Sequence, residues 1–204
     1  KVPDIFPVVR LNVYDGIPYP YGFGVKKDES SSIDLSEPLL LIKQLMEAGC
    51  SIINITMGVP RYNPYVGRPF DRPLPGSPPS PEHPLQGVGR LLKGAARVQK
   101  EFPDLVVVGT GYSWLRQFFP FVAAGILEQK EASIIGLGRS SFAYPDAPKD
   151  LMDKGMLNLK KVCIACSGCS ELMKYGSVSG CIQHSEIIYL EEFLTRTKDE
   201  KRNS

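Results

Sequence analysis

Apolar residues fall into four short, near-continuous runs: Phe6 to Val13 (FPVVRLNV), Ser51 to Met57 (SIINITM), Leu105 to Val108 (LVVV) and Ser133 to Leu137 (SIIGL). Runs this short and this rich in β-branched residues predict strands buried on both faces. Between them the apolar positions recur every three to four residues. Ser36 offers an N-cap and Pro38 a first turn for a helix reaching about Ala48, with Gly49 ending it. Val88, Leu91, Leu92, Ala95 and Val98 define a second helix. A third is expected from about Ser113 to Leu127, bent or interrupted at Pro120, and a short helical stretch follows Gly138-Arg139.

Strand and helix therefore alternate, the signature of a parallel sheet covered by helices. A (β/α)8 barrel and an open doubly wound sheet both fit this pattern. Two strands end in glycine turns, Gly109-Thr110-Gly111 and Gly136-Leu137-Gly138-Arg139. Neither is a dinucleotide fingerprint, which needs G-x-G-x-x-G. Glycines there either permit tight turns or let backbone N–H groups approach a phosphate, as in the last loops of phosphate-binding barrels. Two loops after strands, Asp15 to Val25 and Gly58 to Pro84, belong at a site mouth. Their Tyr19, Tyr21, Tyr62 and Tyr65 either pack the proline-rich chain or line a substrate site, packing being the favoured reading.

Cysteine placement changes the picture most. Cys163, Cys166, Cys169 and Cys181 read C-x2-C-x2-C-x11-C. Two-residue gaps bring successive thiolates round one small loop, and the fourth closes the site. An iron–sulfur cluster takes four thiolates this way, and so does structural zinc. Clustered ligand thiols point to a reducing, cytoplasmic compartment. Cys50, beside a strand, reads as a small buried core residue.

Composition sets limits. Of 204 residues, 43% are hydrophobic and 23% charged, as in an ordinary globular protein, and a net charge of +2 leaves no footprint for nucleic acid. No apolar run reaches bilayer-spanning length, and KVPDIFPVV lacks the layout of a signal peptide. A chain that opens at Lys1 and runs at once into a strand reads as the C-terminal part of a longer protein, and TRTKDEKRNS reads as a frayed tail.

Five separated segments, VVRLN, EHPLQGVGRLL, VVVGTGYSWLRQF, GLGRSSFAYPD and KVCIACSGC, together resemble the old yellow enzyme family. The resemblance is closest to its iron–sulfur flavoprotein branch, the NADH:flavin oxidoreductases that include 2,4-dienoyl-CoA reductase and trimethylamine dehydrogenase. It runs from about Phe6 to Tyr189 in family order. It implies an α/β fold, the C-terminal half (strands five to eight) of a (β/α)8 TIM barrel with a cysteine-cluster extension. The implied domains are residues 1–155 for the half barrel and 156–204 for the cluster segment and tail.

The resemblance also implies FMN, with Arg10 beside the flavin pyrimidine ring. Gly111 and Tyr112 match the strand-seven phosphate turn, and Gly138 and Arg139 the strand-eight turn. A guanidinium suits phosphate by its fork of donors. Cys163, Cys166, Cys169 and Cys181 match the ligands of a [4Fe–4S] cluster, in the spacing of the trimethylamine dehydrogenase-like form, with zinc as the alternative metal. The expected activity is NAD(P)H-dependent, FMN-mediated reduction of an electron-poor small molecule. The family's substrate-binding pair and proton-donating tyrosine lie on a strand outside this sequence. His83 and His184 match neither: His83 reads as a loop or helix-start residue, and His184 as a surface residue that could donate near the cluster. Larger relatives carry a nucleotide-binding region after the cluster, and only about twenty residues follow Cys181. The cluster then reads as a vestige, a structural staple or a port for a separate electron-transfer partner; a homo-oligomer is compatible. The competing reading is a non-catalytic barrel relative with a zinc staple. An aldolase- or isomerase-like barrel would need a strand lysine or carboxylate, and the strands offer none.

Overall fold

The computed structural model describes residues 6–29 and 32–203. The chain forms two compact units. The first holds the residues up to Pro69, Glu82–Tyr112 and Pro120–Gly136, and the second holds Phe70–Pro81, Ser113–Phe119 and the chain from Leu137 onward.

The first unit is mixed α/β around a four-stranded sheet. Strands β1 (Val8–Asn12), β2 (Ile52–Thr56), β3 (Val106–Gly109) and β4 (Ile134–Ile135) lie side by side in chain order, every pair parallel. Helix α1 (Ser36–Glu47) connects β1 to β2, and α2 (Pro64–Gly67) with α3 (Pro84–Glu101) connects β2 to β3. Strand order advances one way, without the reversal that defines a doubly wound switch point. Alternate residues of each strand take opposite faces. Ile53, Ile55 and Val107 are buried with Ile42 of α1 and Leu91, Ala95 and Val98 of α3. Each such side chain contributes roughly 1.5–3 kcal/mol by leaving water. The other face carries Val8, Arg10 and Asn12, in register with Ile52, Asn54 and Thr56. Val8 there is 57% exposed, against 0% for Ile53. One row across this open face reads Arg10, Asn54, Val108, Ile134.

Local differences from the sequence reading have simple causes. Ser36 is the first residue of α1 and not its cap. The carboxylate of Asp34 accepts both its N–H, at 2.9 Å, and its hydroxyl, at 2.6 Å. Gly49, at φ +95°, ends the helix as expected. The expected 113–127 helix is two pieces: a 3-10 segment, Tyr112–Phe118, and α4, Phe119–Glu128. The break falls at Arg116, whose φ 55° and ψ −127° no helix accommodates; Pro120 sits harmlessly in the first turn of α4.

The second unit is helical: α5 (Arg139–Ala143), α6 (Ala147–Lys154), α7 (Gly168–Lys174) and, after a π-turn over Glu186–Leu190, α8 (Glu191–Asn203). The charged tail expected to fray is thus helical through α8, with Glu192 taking Arg196 one turn on at 2.8 Å. No described helix is long and apolar enough to cross a membrane.

Candidate functional site

Three short-range devices shape the cysteine segment. Tyr144, Ala147 and Val162 form a small buried cluster with Leu157 against it. The Tyr144 hydroxyl donates to Asp150, which also receives Lys154 at 2.5 Å, while Asn158 N–H donates to the Tyr144 oxygen at 3.1 Å. Lys161 lies over the Tyr144 ring, 5.4 Å from its centre. Together these fix the chain on either side of residue 160 and deliver Val162, then Cys163.

Between the cysteines the backbone winds tightly. Ala165 (φ 57°) and Ser167 (φ 66°) are left-handed, a conformation that costs a non-glycine residue about 1 kcal/mol or more. Left-handed residues set into a turn curl successive N–H groups toward one concavity, a device of phosphate and iron–sulfur sites. Cys169 enters α7, and Ser179 ties the closing segment to it by donating to the Cys169 carbonyl at 2.8 Å. Cys181 is buried, and none of the cysteines is in a disulfide.

The sulfurs are provided with donors. Ala165 N–H donates to the Cys163 sulfur at 3.4 Å, and the backbone N–H groups of Gln183 and His184 act to hold the Cys181 thiol down. Burial pushes both thiols up, and these donors oppose it. The four also feel one another: the charges of Cys169 and Cys181 act on Cys163, and those of Cys166 and Cys169 act on Cys181. Among the described residues no three His, Cys, Asp or Glu side chains converge on one ion position. The His184 ring, exposed, lies with Nε2 3.3 Å from the Val162 carbonyl, next to the first ligand position.

Arg139 belongs to this neighbourhood. Burial pulls its guanidinium down, opposed by the charges of Cys163, Cys169 and Cys166 and then Asp71. Ser113, Arg116, Ser140, Tyr144, Val162 and Cys163 line one small cavity. The Ser113 and Ser140 hydroxyls are 3.1 Å apart, and Ser140 N–H donates to the Ser113 oxygen at 3.3 Å. Asp71 receives the Trp114 indole N–H at 2.9 Å and pairs with Arg116. Nothing in the sequence marks Asp71, Ser113 or the strained Arg116, because backbone strain and a hydroxyl pair leave no spacing signature.

The other expected site residues lie as follows. Arg10 is exposed on the open face of the sheet. Gly111, at φ +109°, demands glycine by its backbone, and an added Cβ would come within 3.1 Å of Leu91. The Tyr112 side chain is wholly buried within the first unit, and burial, with a smaller push from Glu131, raises its hydroxyl to about 12. Only its backbone can serve a phosphate. A Cβ added at Gly138 meets nothing within 4 Å, so packing does not require glycine there. His83 caps α3, its Nδ1 accepting Leu85 N–H at 3.2 Å. Cys50 is buried, as expected of a core residue. Of the loop tyrosines, Tyr65 packs against the core, while Tyr19, Tyr21 and Tyr62 are exposed. The first unit also has a cavity of about 770 Å³ beside α3, lined by Lys93, Arg97, Lys100 and Lys130, all exposed.

Comparison of the chain with protein-family models, with characterised proteins and with solved structures finds no match.

Proposed function

We propose that this protein is an FMN-dependent NAD(P)H:flavin oxidoreductase of the old yellow enzyme type, with a [4Fe–4S] cluster on Cys163, Cys166, Cys169 and Cys181. The observation that carries the reading is the cysteine loop. Four thiols within electrostatic reach of one another are joined by a backbone held left-handed at Ala165 and Ser167, with an N–H donor on the Cys163 sulfur. Such N–H groups favour thiolate over thiol, as ligation by iron requires. An all-sulfur donor set suits iron–sulfur chemistry, and zinc is the competing metal.

In this reading the four-stranded sheet is the second half of a (β/α)8 barrel. Its one-way strand order and its row of Arg10, Asn54 and Val108 on the open face support that assignment. FMN supplies hydride transfer from NAD(P)H to an electron-poor small molecule, and the cluster supplies single-electron exchange with a partner protein. Arg10 would stabilise negative charge that develops on the flavin ring during reduction. The resemblance assigns phosphate binding to backbone N–H groups at Gly111-Tyr112 in the first unit and at Gly138-Arg139 in the second, and an added Cβ at Gly138 would meet nothing within 4 Å. Cysteines free of disulfides suit a reducing cytoplasm.

An absorption spectrum of the purified protein with metal analysis tests this directly. Flavin bands over a broad shoulder that bleaches on reduction, with four irons per chain, are expected. A colourless protein carrying one zinc would overturn the reading in favour of a structural staple.

A further inference from the structure

We propose that the cavity beside α3 is an anion site that takes an oligophosphate, either inorganic or as the phosphate chain of a nucleotide. The proposal is independent of the flavin and cluster reading and concerns the opposite end of the sheet. The cavity lies where β3 and β4 begin, with Pro103 and Ser133 in its wall. The Gly111 turn, which the resemblance assigns to phosphate, follows the other end of β3.

The charge of this cavity is one-sided. Lys93, Arg97 and Lys100 stand at i, i+4 and i+7 on α3, a stripe along roughly 10 Å of helix. Lys130 adds a fourth cation from beyond the end of α4. Among the described residues none of the four is in an ion pair. Of the described lining residues only Glu131 carries a carboxylate, while Glu101, Asp104 and Glu128 are exposed and do not line the cavity. The C-terminal ends of α3 and α4 add about half a negative charge each, which leaves about two positive charges unmatched. Like charges gathered round a concavity repel one another until an anion joins them.

Two further observations shape the ligand. Lys130 is left-handed, φ 54°, in a turn where its N–H reaches the Leu127 carbonyl at 3.1 Å and Glu131 N–H reaches that of Ile126 at 2.9 Å. Glycine is the usual residue in such a helix end and would hold the turn without strain. The strained lysine is accounted for by the charge it brings to the cavity. Behind the cations, Gln99 donates to the Leu105 carbonyl at 2.9 Å and accepts the Ser133 hydroxyl at 2.7 Å. These floor groups are occupied, so the site reads charge and length and does not read a base or sugar. A cavity of about 770 Å³ admits a ligand of nucleotide size. An oligophosphate spreads its charge along the α3 stripe, and a single phosphate does not.

The test is isothermal titration calorimetry of the purified protein with sodium tripolyphosphate at low salt and without magnesium. Saturable binding is expected, weakening as salt screens the cations. ATP should bind within about threefold of tripolyphosphate, and both at least about tenfold more tightly than AMP. The double variant Arg97→Gln, Lys100→Gln should lose at least about tenfold in affinity, while Arg97→Lys should retain most of it. Lys130→Gly should weaken binding and raise the melting temperature together, because it removes the charge and relieves the backbone. A damaged fold cannot produce that pairing. No saturable binding to the wild type, equal affinity for AMP, or full affinity in the double variant overturns the proposal. Tighter binding of a polyglutamate peptide than of tripolyphosphate overturns it in favour of an acidic protein partner. None of these readouts involves flavin or iron, so each outcome leaves the cofactor reading untouched.

Discussion

The two units are stabilised by different physics. The first is built on apolar area: one cluster runs from Val13 through Ile42, Ile53 and Ile55 to Val98 and Val107. Its shape follows from burial and needs no ligand. The cysteine-bearing part of the second is held by polar ties around the small Tyr144, Ala147 and Val162 cluster, and its loop stores left-handed strain at Ala165 and Ser167. Strain of that kind persists only where something over-determines the fold. A bound metal centre would do so, since metal binding energy in such segments is folding energy.

The strongest way to break this contrast is to remove the centre. Cys163→Ser, or chelation of the metal, should abolish most of the bound iron and release amide protection across 156–185 in hydrogen exchange. Protection of the β1, β2 and β3 amides should be unchanged. Equal loss in both places would show that the sheet also depends on the centre. The converse substitution is Ile53→Ala. It opens a cavity in a site with no exposed atoms and should cost about 2–5 kcal/mol in denaturant unfolding. Protection of the 156–185 amides in the still-folded protein should then be retained. A cost below 1 kcal/mol would mean that the core around Ile53 is looser than its burial implies.

This contrast also explains what could be read from the sequence. The strands and α3 were legible because burial imprints periodicity: Ile53 and Ile55 alternate, and Val88, Leu91, Ala95 and Val98 recur on one helix face. The ligand spacing was legible because thiols that share a centre must be close in sequence or closed by a short return. The break at Arg116 was not, because its neighbours Ser113, Trp114 and Leu115 are all compatible with a helix. Asp34 was missed as the residue engaging Ser36, since a serine before an apolar run is the commoner cap. The helix over the charged tail, α8, has no strong apolar stripe, and its sequence signals are the acidic first turn, Glu191 and Glu192, and the i, i+4 pair of Glu192 and Arg196.

A smaller effect separates the units by pH. Hydrogen bonding to Lys154, then to Tyr144, holds the Asp150 carboxyl below its ordinary value of 3.8. A folded-state value below the unfolded one stabilises above the unfolded value, and that contribution is lost as the pH falls through the folded value. The second unit should therefore lose thermal stability as the medium is acidified below about pH 4, and Asp150→Asn should flatten that part of the profile. Melting followed by amide exchange at residues 144–162 would show it. An identical acid limb in the variant would assign the loss to other carboxylates.

The smallest expected change sharpens the comparison from the side of the first unit. Tyr112 is fully buried, yet among the described residues its hydroxyl has no hydrogen-bond partner, and its raised pKa has burial as its first cause. A polar atom buried in this way costs roughly 1–3 kcal/mol. Tyr112→Phe removes the atom and keeps the ring, and Gly109 already leaves room beside it. The variant should gain about 1 kcal/mol in denaturant unfolding. Because only the Tyr112 backbone faces the assigned phosphate role, flavin content should stay at the wild-type level. A loss of stability would show that the hydroxyl has a partner in solution. A loss of flavin at unchanged stability would show that the side chain, and not the turn, is what the cofactor needs.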